Sequence, residues 1–155
     1  MKERNKAVPA VYLLLRKGDS ILLMRRQGSG YYDGWYSVPA GHVEAGELPL
    51  LGLAREVVEE LGISINPKEA RLVHLMYRTK HDETGDRIDL FFEVTKWSGN
   101  ITNAESHKCD DVQWFPVKAL PEKTMHHVRD AIQKVENNIL YSELDLEHIT
   151  SNPSS

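Results

Sequence analysis

The sequence contains one cysteine, Cys109, and no long uncharged apolar run. A single cysteine excludes an internal disulfide and a cysteine-based zinc site. No apolar segment approaches the roughly 18 residues of a membrane-spanning helix and no leader precedes a cleavage site, so we expect a soluble cytoplasmic protein. The formal net charge is −4, which offers no surplus of positive charge for a long nucleic acid. We therefore expect neither nucleic acid nor membrane as a partner.

The 155 residues, of which 41% are hydrophobic, are enough for one domain with a hydrophobic core. We expect a single domain over residues 1–155, with its core at 7–138. The residues after Tyr141 are polar, and we expect 142–155 to form a loose tail. The oligomeric state leaves no pattern in the sequence, so a homodimer remains open.

Alternation and turn composition predict most of the strands. Apolar runs at 7–15 and 21–26 flank a turn and predict a hairpin of two buried strands. Segments 72–78 and 88–95 predict two strands joined by a polar turn, and 112–115 predicts a short strand. Residues 48–61 and 123–137 have apolar positions at helical spacing, which predicts amphipathic helices. This order indicates a mixed sheet between helices.

The most specific pattern lies between Gly41 and Ile63 and follows the spacing G-x5-E-x7-R-E-U-x-E-E-x-G-U, in which U is aliphatic. Composition alone produces such a match about once in 10^9 starting positions. On the predicted helix, Glu56 and Glu60 lie about 40° apart and Glu59 lies about 60° from Glu56. Three carboxylates therefore share the side opposite the apolar stripe.

Carboxylates crowded on one side of a helix raise each other's pKa or destabilise the helix unless a cation compensates them. Oxygen ligands favour Mg²⁺ or Mn²⁺ over Zn²⁺. The alternative is an ordinary solvated helix face. Gly41 and Gly46 bracket a turn from a strand into the helix, which brings backbone carbonyls close to the carboxylates and favours a functional site.

The pattern resembles the signature box of the Nudix hydrolases at every fixed position. The resemblance implies an α/β/α sandwich with a mixed β-sheet, and metal-dependent cleavage of a nucleoside diphosphate linked to another group. It implies that Glu59 and Glu60 are metal ligands, that Glu56 is a ligand or the base that activates water, and that Ala40 supplies a carbonyl ligand. The remaining box residues have structural roles: Gly41, Glu44, Gly46, Glu47, Arg55 and Gly62.

Within the box, Glu47 and Arg55 are expected to form an ion pair that fixes the loop on the helix. Glu44 either binds a second metal ion or faces water. Further along, residues 105–115 resemble the E-P-x-K-x5-W-F pattern that often follows the box. Glu105 is therefore our candidate for a further catalytic carboxylate, with an exposed loop acid as the alternative. Ser106 stands where that pattern has proline.

Candidate substrate contacts lie ahead of the box. Arg26 resembles, by position, an arginine with which some relatives touch a substrate phosphate; the alternative is a surface charge at a strand end. Residues 28–39 combine glycines with aromatic side chains that could stack on a nucleobase. The stacking candidates are Tyr31, Tyr32 and Trp35, with core packing as the alternative.

Three functions follow from the resemblance. The first is hydrolysis of nucleoside triphosphates, oxidised ones included, to a monophosphate and pyrophosphate, as in small MutT-like members. The second is cleavage of ADP-ribose or a nucleotide sugar. The third, from another class, is a non-catalytic nucleotide sensor, which predicts loss of a box carboxylate. All the box carboxylates are present.

Overall fold

The structure, a computed structural model, describes residues 3–145. Its strands are β1 (Ala7–Lys17), β2 (Ser20–Arg26), β3 (Tyr36–Ser37), β4 (Ala40–His42), β5 (Arg71–Thr79), β6 (Asp86–Val94), β7 (Cys109–Pro116) and β8 (Tyr141–Asp145). The helices are α1 (Pro49–Leu61) and α2 (His126–Glu136), with a short 3-10 turn at Pro67–Glu69. Neither α1 nor α2 is long and apolar enough to cross a membrane.

The sheet is mixed, as the sequence predicted. β1 pairs in parallel with β6, β5 pairs antiparallel with β6, and β8 pairs in parallel with β5. α1 packs on one face of β1, where Leu53 and Val57 contact the cluster that contains Leu13. α2 covers the other face, where Val128 and Ile132 join the cluster that contains Leu14. The predicted α/β/α sandwich is therefore confirmed.

The predicted hairpin of β1 and β2 is shorter than expected. The two strands pair only next to their turn, at Arg16↔Ile21 and Lys17↔Ser20. Nearer its start, β1 uses the same edge to pair with β4, at Ala10↔His42 and Tyr12↔Ala40. β2 diverges and pairs instead with β3 and β7. This divergence opens a space between β4 and β2, beside the end of α1.

The second helix begins later than the periodicity predicted. Residues 123–125 are not helical, because Tyr36 donates its backbone N–H to the Lys123 carbonyl and accepts from the Met125 N–H. α2 therefore begins at His126 and ends at Glu136. The apolar face predicted for this helix is retained, since Val128, Ala131 and Ile132 are buried.

The prediction of a loose tail from residue 142 is wrong for residues 142–145. These residues belong to β8, which extends the sheet next to β5. The buried His74 bridges to this segment, with its Nδ1 2.7 Å from the Ile139 carbonyl oxygen and its Nε2 2.7 Å from Ser142 Oγ. A carbonyl can only accept, so the neutral ring carries its proton on Nδ1 and accepts from Ser142. Residues 146–155 lie outside the described residues.

Ser142→Ala should lower the free energy of unfolding by about 1–3 kcal/mol, because the buried Nε2 of His74 loses its hydrogen-bond partner. Urea denaturation at pH 7 measures this change. Ser98→Ala is the matched control: Ser98 is exposed, and its loss should change the free energy by less than about 0.5 kcal/mol. Equal effects of the two substitutions would contradict the role of the His74–Ser142 contact.

Candidate active site

Arg55 organises the loop that leads from β4 into α1. Its Nε lies 2.9 Å from Glu47 Oε2 and its Nη2 lies 3.1 Å from Glu47 Oε1, so the predicted ion pair is present and bidentate. Nη2 also donates to the His42 carbonyl at 3.3 Å. The hydrogen bonds from Arg55 and from the Glu44 N–H lower the pKa of Glu47 to about 2. These contacts of one edge of the guanidinium hold the loop on the helix.

The same guanidinium contacts the helical carboxylates. Arg55 Nη1 lies 2.8 Å from Glu56 Oε1 and 3.4 Å from Glu59 Oε2. Glu44 is 3.6 Å away, and its side chain is 66% exposed. Glu44 therefore belongs to the solvated rim of this cluster.

Gly41 allows Glu56 to lie against β4. A Cβ atom at position 41 would stand 2.1 Å from the Glu56 carboxyl group, far inside van der Waals contact. Any side chain at this position would displace the carboxylate. The Gly41 of the sequence pattern is thus explained by a close approach between strand and helix, since its φ is not in the left-handed region.

Glu60 is the most strongly perturbed carboxyl group of the site. Burial raises its pKa well above the ordinary value, and the neighbouring charges of Glu56 and Glu105 raise it further. The one hydrogen bond to its carboxylate comes from the Ala40 N–H at 3.2 Å. The pKa of Glu56 is also raised, again chiefly by burial. Glu56 and Glu60 thus form an acidic pair whose negative charge is only partly compensated by Arg55 and the Ala40 N–H.

Glu105 reaches this pair because its loop is docked on the end of α1. The Thr102 N–H donates to the Leu61 carbonyl at 2.9 Å, and the Ala104 N–H donates to the Glu60 carbonyl at 3.1 Å. These contacts satisfy carbonyls that a helix end leaves free. The carboxylate of Glu105 also lies 3.6 Å from Lys108 Nζ. The loop is anchored in this way although Ser106 replaces the proline of the family pattern.

The oxygen donors of this cluster suit a hard divalent cation. Glu56 and Glu60 are partly buried carboxyl groups whose pKa values are raised, chiefly by burial, and the Ala40 backbone lies beside Glu60. Among residues 3–145, no three acidic, histidine or cysteine side chains already converge on one point. Arg55 instead contacts both Glu56 and Glu59. Arg55 contacts Oε1 of Glu56 and Oε2 of Glu59, which leaves the other oxygen of each carboxylate for an ion.

A cavity of about 440 Å³ opens next to the carboxylates, within the size range of small-molecule sites. Glu60, Glu105, Ala40 and Gly41 line one part of it. Arg26 and Tyr31 also line it, and the Arg26 guanidinium lies 5.6 Å from the centre of the Tyr31 ring. Five of the predicted catalytic, metal-binding and substrate-binding residues thus share one space: Glu60, Glu105, Ala40, Arg26 and Tyr31.

Tyr32 and Trp35 were candidates for stacking on a nucleobase, but the structure places both side chains away from the cavity. Tyr32 is 7% exposed and lies in the core cluster beneath α2. Trp35 packs edge-on against Tyr32 and lies 5.6 Å from the His126 ring. Neither side chain lines the cavity. Of the three aromatic candidates, only Tyr31 is placed where a nucleobase could stack on it.

A buried polar network on the cavity floor was not predicted from the sequence. Arg78 pairs with Asp89, at 2.5 Å between Nε and Oδ2, and Arg78 Nη2 lies 3.2 Å from the Tyr12 hydroxyl. The Tyr12 hydroxyl also lies 3.2 Å from His127 Nε2. Burial lowers the pKa of His127 well below its ordinary value. The sequence signal for this network is Asp89, which stands within the apolar segment 88–92. A charge inside a buried strand needs a buried partner.

The sequence is similar to a known domain family and to longer proteins that contain it. A model of the NUDIX domain matches residues 4–134. The chain is similar to the NAD-capped RNA hydrolase NudC of Pseudomonas aeruginosa, with 34% identity over 113 residues; the match covers 73% of this chain and 37% of NudC. The chain therefore spans little more than a third of the length of that relative.

Two shorter relatives carry other activities in their names. An ADP-ribose pyrophosphatase from Methanocaldococcus jannaschii is 27% identical over 121 residues, which cover 77% of this chain and 69% of that protein. An 8-oxo-dGTP diphosphatase from Proteus vulgaris is 28% identical over 103 residues, which cover 66% of this chain and 88% of that protein. The crystal structure of a MutT NUDIX hydrolase from Burkholderia pseudomallei shares the fold, with a TM-score of 0.74, 23% identity and coverage of 84% and 98% of the two chains.

The Glu47–Arg55 pair should make stability depend on pH in a defined window. The folded pKa of Glu47, about 2, lies below its ordinary value of 4.5, so the pair stabilises the fold above pH 4.5 and this stabilisation is lost as the pH falls towards 2. Glu47→Gln should therefore lower the unfolding midpoint in urea at pH 7, and the difference from the unsubstituted protein should shrink at pH 3. Both measurements are made with a chelator present.

Glu69→Gln serves as the control for this experiment, because Glu69 is exposed on the 3-10 turn. Its midpoint difference from the unsubstituted protein should stay small at both pH values. A Glu47→Gln difference that is the same at pH 7 and pH 3 would show that the charge of Glu47 contributes no stability.

Proposed function

The chain belongs to the Nudix family, and we propose that it is a divalent-metal-dependent pyrophosphohydrolase that cleaves a phosphoanhydride bond in a small nucleotide. The observation that carries the proposal is the position of Glu60. This carboxylate is buried and under-compensated, it lies beside Glu56, and it opens directly into a cavity of nucleotide size. A negatively charged substrate would be repelled there without a cation.

The residues that would hold the metal ion are Glu56, Glu59, Glu60 and the Ala40 carbonyl, with Mg²⁺ or Mn²⁺ as the fitting ions. A bound ion would neutralise phosphate oxygens and lower the pKa of a coordinated water. Glu59 is 50% exposed on the outer side of the cluster, whereas Glu60 faces the cavity.

Glu105 is the proposed acceptor of the proton from the attacking water. It lines the cavity and is close enough for its charge to raise the pKa of both Glu56 and Glu60. Its loop is held by hydrogen bonds to the backbone of α1, which keeps the base in a fixed relation to the carboxylates. Glu56 is the alternative base, but its carboxylate is hydrogen-bonded to Arg55 at 2.8 Å.

Arg26 and Tyr31 are proposed to bind the substrate. Arg26 Nε donates to the Tyr31 carbonyl at 2.8 Å, which fixes the guanidinium at the cavity wall. Arg26 makes no ion pair within residues 3–145, so its charge is available to a phosphate group. Tyr31 is 44% exposed and offers a face to a base of any identity.

Two substrate types are supported by different observations. The named relative with the most complete coverage, an 8-oxo-dGTP diphosphatase, supports a nucleoside triphosphate that yields a monophosphate and pyrophosphate. The ADP-ribose pyrophosphatase relative supports a nucleoside diphosphate linked to a larger group. The cavity continues from Glu60 to Arg78 and Lys80 on β5 and the turn after it, which favours the larger substrate.

Chromatographic product analysis tests the proposal. The protein is incubated with Mg²⁺, then with Mn²⁺, and a panel of canonical triphosphates, oxidised triphosphates, ADP-ribose and nucleotide sugars. Monophosphate plus pyrophosphate would support the triphosphate. Monophosphate plus a sugar phosphate would support the larger substrate. No turnover with either metal would contradict the proposal and favour a non-catalytic nucleotide sensor.

Glu60→Gln should reduce kcat by at least about 10^3-fold, because it removes a metal ligand and the charge that attracts the ion. The fold should remain intact, since the neutral amide replaces a carboxylate that is poorly compensated in the protein. Initial rates, together with circular dichroism and urea unfolding, measure the two effects. Glu122→Gln, at an exposed position outside the site, should leave kcat unchanged. Turnover of Glu60→Gln within tenfold of normal would refute the ligand assignment.

A further inference from the structure

One end of the cavity brings three cationic side chains together. Arg78 and Arg87 lie directly opposite each other on β5 and β6. Directly opposed residues share a face of the sheet, and like charges at such positions are destabilising. Lys80 lies two residues beyond Arg78, and all three side chains line the same cavity. We call these three residues the basic end.

A single carboxylate compensates the basic end at contact distance. Asp89 is fully buried and pairs with Arg78 through both of its oxygens. Arg87 donates instead to the Gly85 carbonyl at 2.7 Å and to Thr84 Oγ1 at 3.2 Å. Within residues 3–145, neither Arg87 nor Lys80 has an acidic group within ion-pair distance. Two further carboxylates are nearby and form hydrogen bonds instead: Asp82 accepts from Thr84, and Asp86 accepts from the Lys80 N–H at 3.1 Å and from the Tyr77 hydroxyl at 2.7 Å. The charge of Asp82 still acts on Lys80 and Arg87.

Two of the three other basic side chains that line the cavity, Arg25, Arg26 and Lys108, have ion-pair partners. Arg25 pairs with Asp110 at 2.7 Å, and Lys108 lies 3.6 Å from Glu105. Arg26 is unpaired but lies on β2, in the wall next to the Glu105 loop, where it can serve the cleaved diphosphate. Among the described residues, Lys80 and Arg87 are therefore two cavity cations that form no ion pair and that the proposed reaction does not use.

The basic end is too far from the carboxylates to serve the same phosphates. The order of strands from the metal-binding side is β4, β1, β6 and β5. With about 4.8 Å between neighbours, β6 lies about 10 Å and β5 about 14 Å from β4. A diphosphate held beside Glu60 leaves this end free for another part of the same molecule.

We propose that the basic end is a second anion subsite, in which Lys80 and Arg87 bind a phosphomonoester remote from the cleaved diphosphate. The charge matches, because a phosphomonoester carries about −1.5 to −2 at neutral pH. The inference rests on the proposed hydrolase function and defines its substrate class: a nucleoside diphosphate derivative with a further phosphate on its ribose or on the attached group. Arg78, which is paired with Asp89, lies in the cavity floor between the two sites.

Paired substrates test the subsite. NADP⁺ is compared with NAD⁺, and coenzyme A with dephospho-coenzyme A, because the members of each pair differ by one ribose phosphate. ADP-ribose is compared with ADP-ribose 5-phosphate for a phosphate on the attached group. In at least one pair, the phosphorylated member should have a KM lower by about tenfold or more, as expected for charge-assisted hydrogen bonds. Equal KM values within all three pairs would overturn the proposal.

Lys80→Gln should abolish the difference within the preferred pair and leave the KM of the unphosphorylated member unchanged. Lys80 has no hydrogen-bonded side-chain partner in the described residues, so this substitution should not disturb the fold. Lys80→Arg should retain the preference. Lys68→Gln is the matched control, because Lys68 is exposed on the 3-10 turn, outside the cavity. A preference that survives in Lys80→Gln would overturn the assignment.

Calorimetry without metal separates this inference from the proposed function. The metal-free protein is titrated with adenosine 2′,5′-bisphosphate, adenosine 3′,5′-bisphosphate and AMP. A bisphosphate that binds about tenfold more tightly than AMP, with the gain lost in Lys80→Gln, would support the subsite even if no substrate were hydrolysed. Absence of that gain, together with equal KM values in the paired substrates, would overturn the subsite and leave the hydrolase proposal standing.

Discussion

The acidic half of the site depends on the guanidinium of Arg55. It lies within 4 Å of carboxylates from four residues, of which Glu44 and Glu47 belong to the loop and Glu56 and Glu59 to the helix. Carboxylates this close repel each other, so the loop can fold onto α1 only with a cation among them. Glu47 receives the strongest share of that cation, as its low pKa shows. Glu60 receives no contact from Arg55, and the uncompensated charge is therefore concentrated next to the cavity.

The cavity itself follows from competition for one edge of β1. β4 occupies that edge at Ala10–Tyr12, and β2 can pair only at Arg16 and Lys17. Because the two partners diverge, neither closes the gap between them. The Glu105 loop and the start of α2 border this gap from two sides, with Cys109 and His127 in its lining. A packing conflict in the sheet thus creates the space that Glu60 of α1 lines.

The sequence predicted the acidic cluster because its geometry is local. Helical periodicity places Glu56, Glu59 and Glu60 together, and the family resemblance supplied their expected roles. Features that depend on distant partners were not predictable in this way. β8 was missed because its anchor is a polar contact between His74 and Ser142, 68 residues apart, with no hydrophobic pattern. Tyr32 was named as a stacking residue because no local feature of the sequence reveals that its side chain packs under α2.

The charge of the whole chain hides a separation that matters for function. The protein is acidic overall, at −4, yet its cavity has carboxylates at one end and cations at the other, of which Lys80 and Arg87 have no ion pair among the described residues. Cations already paired with carboxylates at contact distance, such as Arg78, keep their geometry and have less to gain from a ligand. Cations without such partners exchange water for phosphate at lower cost, because no ion pair must be broken. If the proposed function and the second anion subsite hold, reactivity resides on α1 and selectivity on the β5–β6 hairpin. Because β1 separates these elements, substitutions in the hairpin would then alter which nucleotide binds without moving the carboxylates.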